Sequence, residues 1–225
     1  MSNGSVQGGL YAITDSSLIP TCELANRVAR AIAGGATIIQ YRDKESTANE
    51  RYQEAGALSA LCRLHDIPLI INDDVELAAA VGAAGVHLGK TDTTLDQARN
   101  RLGAKAIIGV SCYNELERAT AAAEAGASYV AFGRFFPSLS KPLAVAAEPA
   151  LLQQARKQIE LPIVAIGGIT PDNGGLLIEA GADLLAVIHG VFGQANIQAA
   201  AAGYNLLFHN QQNTGHKEYF HDPIS

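Results

Sequence analysis

The sequence predicts an α/β fold, a single (β/α)8 TIM barrel, on three observations. Short apolar runs alternate with helical segments along the 225 residues. Several runs are uninterrupted, as expected for parallel strands covered on both faces. Small residues also recur where a helical segment gives way to the next strand, at Gly34-Gly35-Ala36, Ala84-Gly85, Ala125-Gly126-Ala127 and Ala180-Gly181-Ala182.

The eight predicted strands are short, mostly aliphatic runs that end in a polar residue or a glycine. They lie near 10–14, 37–42, 69–73, 85–89, 106–111, 129–134, 162–167 and 184–190. Helical segments fill the intervals, near 22–33, 47–65, 75–82, 94–102, 114–125, 148–159, 172–180 and about 195–207. Capping residues support their starts, such as Thr94 with Gln97 and Thr170 before Pro171. Eight strand–helix pairs in about 200 residues match a compact barrel.

An open, doubly wound sheet is the competing fold. It usually carries a glycine-rich phosphate loop after its first strand. Here the first strand is followed by Thr14-Asp15-Ser16-Ser17, which contains no glycine. No linker interrupts the pattern, so residues 1–225 are predicted to form one domain with the barrel at about 10–208. The polar segment at about 209–225 is predicted to be a loose tail.

Composition argues against several classes of protein. Apolar residues make up 48% of the chain, enough for a sizeable core, and the net charge of −6 argues against a nucleic-acid-binding surface. No run approaches the roughly 20 apolar residues of a membrane span, and no secretory signal is recognisable. The three cysteines form no C-x-x-C pair, which favours a reducing compartment. We expect a cytoplasmic protein without nucleic-acid or membrane partners, and leave its oligomeric state open.

Candidate functional residues follow the strands. The C-terminal ends of barrel strands meet on one face, where these folds bind ligands. Arg42 and Lys44 follow the second strand, and strand alternation points them the same way as Gln40. Arginine offers a planar fork and lysine a point charge to phosphate oxygens. The alternative is a solvated charge cluster of the kind that ends many strands.

Two acidic residues follow the third and fourth strands. Asp73 and Asp92 on neighbouring strands can hold Mg²⁺, which prefers one or two carboxylates together with substrate phosphates and water. Asn72 offers an amide contact to a substrate ring. The structural alternative for Asp73 is helix capping, since Asp73-Asp74-Val75-Glu76 has the spacing of a capping box. Asp92 lacks this alternative because Thr94 already caps the next helix.

The later strands add hydroxyl, lysine and glycine groups. In the long loop after the sixth strand, Ser138 and Ser140 can donate to a phosphate and Lys141 can neutralise one, although the loop can also be interpreted as simply flexible. Gly167-Gly168 and Ile188-His189 follow the last two strands, where barrels commonly bind phosphate.

His87 and Cys112 are given structural interpretations. His87 lies within an apolar run, which favours a hydrogen-bonded core histidine over a ligand. Cys112 has no visible histidine partner, so a small buried residue is favoured over a nucleophile.

Taken together, these segments resemble the thiamine-phosphate synthase family over residues 10–192. Six motifs in order carry the resemblance: Gln40-Tyr41-Arg42-Asp43-Lys44, Ile71-Asn72-Asp73, Gly85-Val86-His87-Leu88-Gly89, Ile108-Gly109-Val110-Ser111, the loop from Phe135 to Lys141, and Ile166-Gly167-Gly168-Ile169. Each motif alone has low specificity, but six of them in the same order make the match specific.

The resemblance implies a transferase that joins 4-amino-2-methyl-5-hydroxymethylpyrimidine diphosphate to 4-methyl-5-(2-phosphoethyl)thiazole, or its carboxylate, and releases diphosphate. It assigns Mg²⁺ to Asp73 and Asp92, and catalytic roles to Arg42, Lys44, Ser111 and Lys141. It assigns substrate binding to Gln40, Tyr41, Arg42, Asp43, Lys44, Asn72, Ser111, Ser138, Leu139, Ser140, Lys141, Gly168, Ile188 and His189.

The thiazole side departs from the family pattern. Serine stands at 138 and 140 where threonine is usual, Arg134 where proline is common, and His189 where serine is usual. Two other functions therefore stay open. One is a thiazole tautomerase, which should lack the acid pair and the basic set. The other is a barrel that binds thiamine phosphates without turnover.

Overall fold

The computed structural model describes residues 6–137 and 145–214, with side chains up to residue 209. Eight parallel strands close into a barrel in chain order, with β1 beside β8. This confirms the predicted TIM barrel. The strands are β1 Gly9–Ile13, β2 Ala36–Tyr41, β3 Leu69–Asn72, β4 Gly85–Leu88, β5 Ile107–Tyr113, β6 Tyr129–Gly133, β7 Ile163–Ile166 and β8 Leu184–Val187.

Helices surround the barrel and cover the outer faces of the strands. A single 3-10 turn, Thr21–Glu23, precedes the first of them. They are α1 Leu24–Ala33, α2 Ala48–Leu64, α3 Val75–Val81, α4 Leu95–Leu102, α5 Leu116–Glu124, α6 Pro149–Gln158, α7 Pro171–Glu179, α8 His189–Phe192 and α9 Ile197–Thr214. No helix in the described ranges is long and apolar enough to cross a membrane.

Two element ends differ from the sequence prediction by more than about two residues, the usual uncertainty of such boundaries. The eighth strand stops at Val187, and the predicted strand residues His189 and Gly190 begin the one-turn helix α8. The last helix continues to Thr214, past the predicted start of the loose tail at 209. Helix extension adds one backbone hydrogen bond per residue, so polar residues can prolong a helix beyond its last apolar contact.

The apolar core has two layers. The outer layer lies between strands and helices, and the inner one fills the barrel with side chains that include Tyr11, Ile38, Ile70, Tyr129 and Leu184. Glycine in β5 makes room for the inner layer. A Cβ at Gly109 would lie 1.9 Å from Cζ of Tyr129, so the tyrosine ring occupies the space that any larger residue would need.

Candidate active site

A cavity of about 500 Å³ opens at the C-terminal ends of the strands. Nearly all of the predicted site residues within the described ranges line it. They are Gln40, Arg42, Lys44, Asn72, Asp73, Asp92, Ser111, Gly168, Ile188 and His189. The expectation that residues far apart in sequence share one pocket is therefore met. Ser138, Leu139, Ser140 and Lys141 lie outside the described residues, although Pro137, just before them, lines the cavity.

Arg42 is held by the end of the first strand. Its Nη1 donates to Oδ2 of Asp15 at 2.9 Å, in a pair that is mostly buried. Its backbone N–H donates to the hydroxyl of Thr14 at 3.0 Å. The guanidinium is thus positioned before any substrate arrives. No sequence motif marks Asp15 as a functional residue, although the polar loop Thr14-Asp15-Ser16-Ser17 after the first strand is a signal that could identify it.

Asp73 and Asp92 lie side by side at the rim. Burial raises the pKa of the Asp73 carboxyl, and the neighbouring Asp92 raises it further, while Lys44 opposes the shift. Nζ of Lys44 lies 3.3 Å from Oδ2 of Asp73. Two carboxylates held together against their repulsion form a site to which a divalent cation would be attracted. Within the described ranges, no group of three or more His, Cys, Asp or Glu residues could bind a metal, so a cation here needs ligands from substrate or water.

Asp73 is not the residue that caps helix α3. Asp74, not Asp73, caps α3, because its side chain accepts from the N–H of Leu77 at 2.9 Å. Asp73 itself adopts a left-handed conformation with φ of 64°, which is uncommon outside glycine. The capping alternative for Asp73 is therefore wrong. Thr94 and Gln97 form the predicted capping box of α4, which leaves Asp92 to accept from the N–H of Gly89 at 2.6 Å.

A chain of hydrogen bonds crosses the cavity floor from β2 to β5. Nε2 of Gln40 donates to the phenol of Tyr11 at 2.7 Å, and this phenol lies 2.8 Å from that of Tyr129. Nδ1 of His87 lies 3.0 Å from the Tyr129 phenol, and its Nε2 lies 2.8 Å from Oγ of Ser111. Burial raises the pKa of both tyrosines, so each keeps its hydrogen at neutral pH. His87 is hydrogen-bonded as predicted, but it also lines the cavity.

The opposite wall is built from the last two strands. Gly167 and Gly168 have φ of 108° and 61°, and a Cβ at Gly168 would lie 2.3 Å from the carbonyl oxygen of Pro137. Only glycine permits this approach between the two loops. His189 at the start of α8 faces the same cavity as Arg134. This wall combines glycine backbone with the basic side chains of Arg134 and His189, which suits an anionic ligand.

Tyr41 and Asp43, which the resemblance assigns to substrate binding, do not line this cavity, although Asp43 lines a neighbouring pocket with Lys44, Asn72 and Asp73. The Tyr41 hydroxyl donates to Glu54 on α2 at 2.6 Å, on the outer face of the barrel. The Asp43 carboxylate accepts from the backbone N–H groups of Glu45 and Ser46. In this structure both side chains organise the β2–α2 connection.

Arg118 on α5 braces the site from behind. Its Nε donates to the carbonyl of Ser111 at 2.7 Å, and its Nη2 donates to that of Gly89 at 3.1 Å. It thereby ties together the ends of two strands that carry site residues. Like Tyr11, Tyr129 and Asp15, it lies in none of the motifs identified from sequence, and no local signal marks it.

Comparisons with known proteins agree with this geometry. The family model described as thiamine monophosphate synthase matches residues 10–191. A thiamine-phosphate synthase of Nitrosococcus oceani is 58% identical over 89% of this chain and 92% of its own length. One from Marinobacter nauticus is 53% identical over 90% of this chain and 92% of its own. The solved thiamine phosphate pyrophosphorylase of Pyrococcus furiosus superposes with a TM-score of 0.82 at 34% identity, covering 92% of this chain and 97% of that one.

Proposed function

Because this chain belongs to the thiamine monophosphate synthase family, we propose that its cavity is the active site for thiamine phosphate synthesis, the reaction that its relatives' names specify. The substrates are the aminopyrimidine diphosphate and the thiazole phosphate. The observation that carries the proposal is the joining of Asp73, Asp92, Lys44 and Arg42 at one rim. Two acidic and two cationic side chains together suit a diphosphate with a bound metal ion. A neutral substrate would not require such a set of charges.

The bond changes follow from the substrates. The bond between the pyrimidine methylene carbon and the diphosphate oxygen breaks, and its electron pair leaves with diphosphate. The thiazole nitrogen then donates its lone pair to that carbon. The amino group of the pyrimidine stabilises the intermediate cation, so the protein need not supply a base. Its contribution is to stabilise the growing negative charge on the leaving group.

The protein groups divide between the two substrates. Arg42, Lys44 and Lys141 would neutralise the diphosphate. Gln40, Asn72 and Ser111 would hold the pyrimidine. Gly168, Ile188 and His189, with Ser138 and Ser140, would hold the thiazole phosphate. Packing both rings within the cavity brings the reacting atoms together and excludes water, which would otherwise capture the cation.

Mg²⁺ is proposed at Asp73 and Asp92. Their charge repulsion and partial burial fit a hard cation whose remaining ligands are phosphate oxygens and water. When bound, the ion would neutralise the leaving diphosphate.

The structure and the relatives do not support the two alternatives. The acid pair and the basic residues that a tautomerase should lack are present and share one cavity.

The test is incubation of the purified protein with both substrates, with Mg²⁺ or with a chelator in its place. We expect thiamine phosphate and diphosphate in equal amounts only when the metal is present. Product formed equally well in chelator would contradict the metal proposal. Binding of the pyrimidine diphosphate without product would contradict the enzymatic proposal.

A further inference from the structure

Hydrogen bonds link Gln40 to Ser111 through three side chains on the cavity floor. The chemistry of these groups determines which of them donates at each link. An amide nitrogen can only donate, so Gln40 donates to Tyr11. A phenol has one hydrogen, and Tyr11, which is 1% exposed, has only Tyr129 as its other hydrogen-bond partner in the described residues. Tyr11 therefore donates to Tyr129, since its hydrogen would otherwise be buried without an acceptor, which is unfavourable.

The same reasoning fixes the next two links. Tyr129 has accepted from Tyr11, so its own hydrogen goes to Nδ1 of His87, 3.0 Å away. An imidazole that accepts at Nδ1 carries its hydrogen on Nε2, and this hydrogen is donated to Oγ of Ser111 at 2.8 Å. Ser111 then has its own hydroxyl hydrogen available for the cavity. At the other end, Gln40 has given an N–H to Tyr11 and keeps a carbonyl oxygen that can accept.

We propose that Tyr11, Tyr129 and His87 are positioning residues that make Ser111 a donor and Gln40 an acceptor towards the bound aminopyrimidine. This inference rests on the proposed function. An aminopyrimidine ring offers an amino group as donor and ring nitrogens as acceptors. A donor at Ser111 and an acceptor at Gln40, each in a fixed sense, select this ring over one with the reverse pattern, such as a hydroxypyrimidine, because mismatched buried polar groups are left unpaired.

Packing makes the chain rigid as well as connected. The rings of Tyr11 and Tyr129 meet edge to face with centroids 5.8 Å apart, and His87 stacks on Tyr129 at 5.7 Å. Gly109 packs against the hydroxyl end of the Tyr129 ring, where a Cβ would lie 1.9 Å from Cζ. The three side chains therefore cannot readily reorient to reverse the sense of donation.

The first test measures the histidine tautomer, which does not depend on activity. In ¹⁵N-histidine-labelled protein, with His87→Gln used to assign its signals, we expect His87 as the neutral form with hydrogen on Nε2. Tyr129→Phe removes the donor to Nδ1, and this preference should weaken. An Nδ1–H tautomer in the wild-type protein would overturn the proposal even if the enzyme makes thiamine phosphate.

The second test is kinetic and uses Tyr11→Phe, Tyr129→Phe and their double variant. Each should raise KM for the pyrimidine diphosphate about tenfold and leave KM for the thiazole phosphate within twofold. The double variant should be no worse than the more affected single variant, because one break already disconnects the chain. Tyr204→Phe is the matched control, since its buried hydroxyl donates to the carbonyl of Ile169 at 2.9 Å, outside the chain.

The outcomes separate the two proposals. Equal losses for both substrates, additive losses in the double variant, or an effect no larger than that of Tyr204→Phe would refute the positioning role. A wild-type protein that forms no thiamine phosphate would refute the proposed function instead, and the tautomer measurement would still decide the direction of the chain.

Discussion

The carboxyl groups of Asp73 and Asp92 lie against each other, one after β3 and the other after β4. Burial and then the presence of Asp92 raise the pKa of Asp73, and Lys44 compensates only part of this effect. A protein gains nothing in stability from such a pair. The arrangement is explained if a cation binds between the two groups.

Replacement of either acid by its amide should test this explanation. For Asp73→Asn and Asp92→Asn we expect turnover to fall on the order of 10²-fold or more, by analogy with other lost charge-stabilising groups. The Mg²⁺ concentration for half-maximal activity should rise. Steady-state rates across a Mg²⁺ titration measure both. Asp96→Asn, in the exposed first turn of α4, is the control and should keep wild-type metal dependence.

Lys141 should matter as much as the acids if it neutralises the leaving diphosphate. We expect Lys141→Ala to lose on the order of 10²-fold in kcat with little change in stability. Lys105→Ala removes an exposed lysine before β5, at the other end of the barrel, and should leave kcat unchanged. Near-full turnover of Lys141→Ala would exclude its proposed role.

Asp15 should act through Arg42. Asp15→Asn keeps the shape of the side chain but removes the negative charge that holds the Arg42 guanidinium, whose Nη1 lies 2.9 Å from Oδ2 of Asp15. We expect KM for the pyrimidine diphosphate to rise about tenfold, because Arg42 must then be ordered by the substrate itself. Glu23→Gln breaks the exposed Arg27–Glu23 pair and serves as control. If Asp15→Asn tightens diphosphate binding, Asp15 competes with the substrate instead.

Two glycine-to-alanine changes should have opposite effects on stability. Gly109→Ala would place a methyl carbon 1.9 Å from Cζ of Tyr129, so we expect a loss of about 1–3 kcal/mol from overpacking. Gly56→Ala, within α2, meets nothing within 4 Å and should add about 0.5–1 kcal/mol by reducing the entropy of the unfolded chain. Denaturant unfolding of both variants measures the difference, and equal shifts would contradict the packing described.

The three thiols should differ sharply in reactivity. Cys22 is exposed, whereas Cys62 and Cys112 are buried, and burial raises the pKa of both to about 12. At pH 8 only about one buried thiol in 10,000 would be ionised, and the thiolate is the reactive form. A thiol reagent should therefore modify one cysteine in the native protein and three after denaturation. Rapid native modification of Cys112 would contradict its burial.

The second strand shows what could be predicted and what could not. Strand alternation alone places Gln40, Arg42 and Lys44 on one side, and the structure puts all three in the cavity. The family motif as a whole assigns Tyr41 and Asp43 to substrate binding, and neither residue lines this cavity. In an extended strand, Tyr41 and Asp43 point to the side opposite to Gln40, Arg42 and Lys44, so alternation alone separates the two sets.

Other parts of the site carried no usable signal. Tyr11 and Tyr129 are 118 positions apart, and their contact depends on barrel closure, which periodicity does not reveal. The helix α8 has four residues, too few to show a helical period, so it was predicted as the end of a strand. The acids Asp73 and Asp92 were predictable because the topology alone brings adjacent strand ends together.

The filled interior of the barrel has a consequence for the entry and exit of ligands. Ile38, Ile70 and Leu184 share the buried inner layer with Tyr11 and Tyr129, so side chains fill the barrel next to the cavity instead of leaving a pore through it. A ligand that lies against Tyr11 at the inner end of the cavity is covered by any second ligand that binds nearer the strand ends. The deeper of two ligands must therefore bind first and leave last.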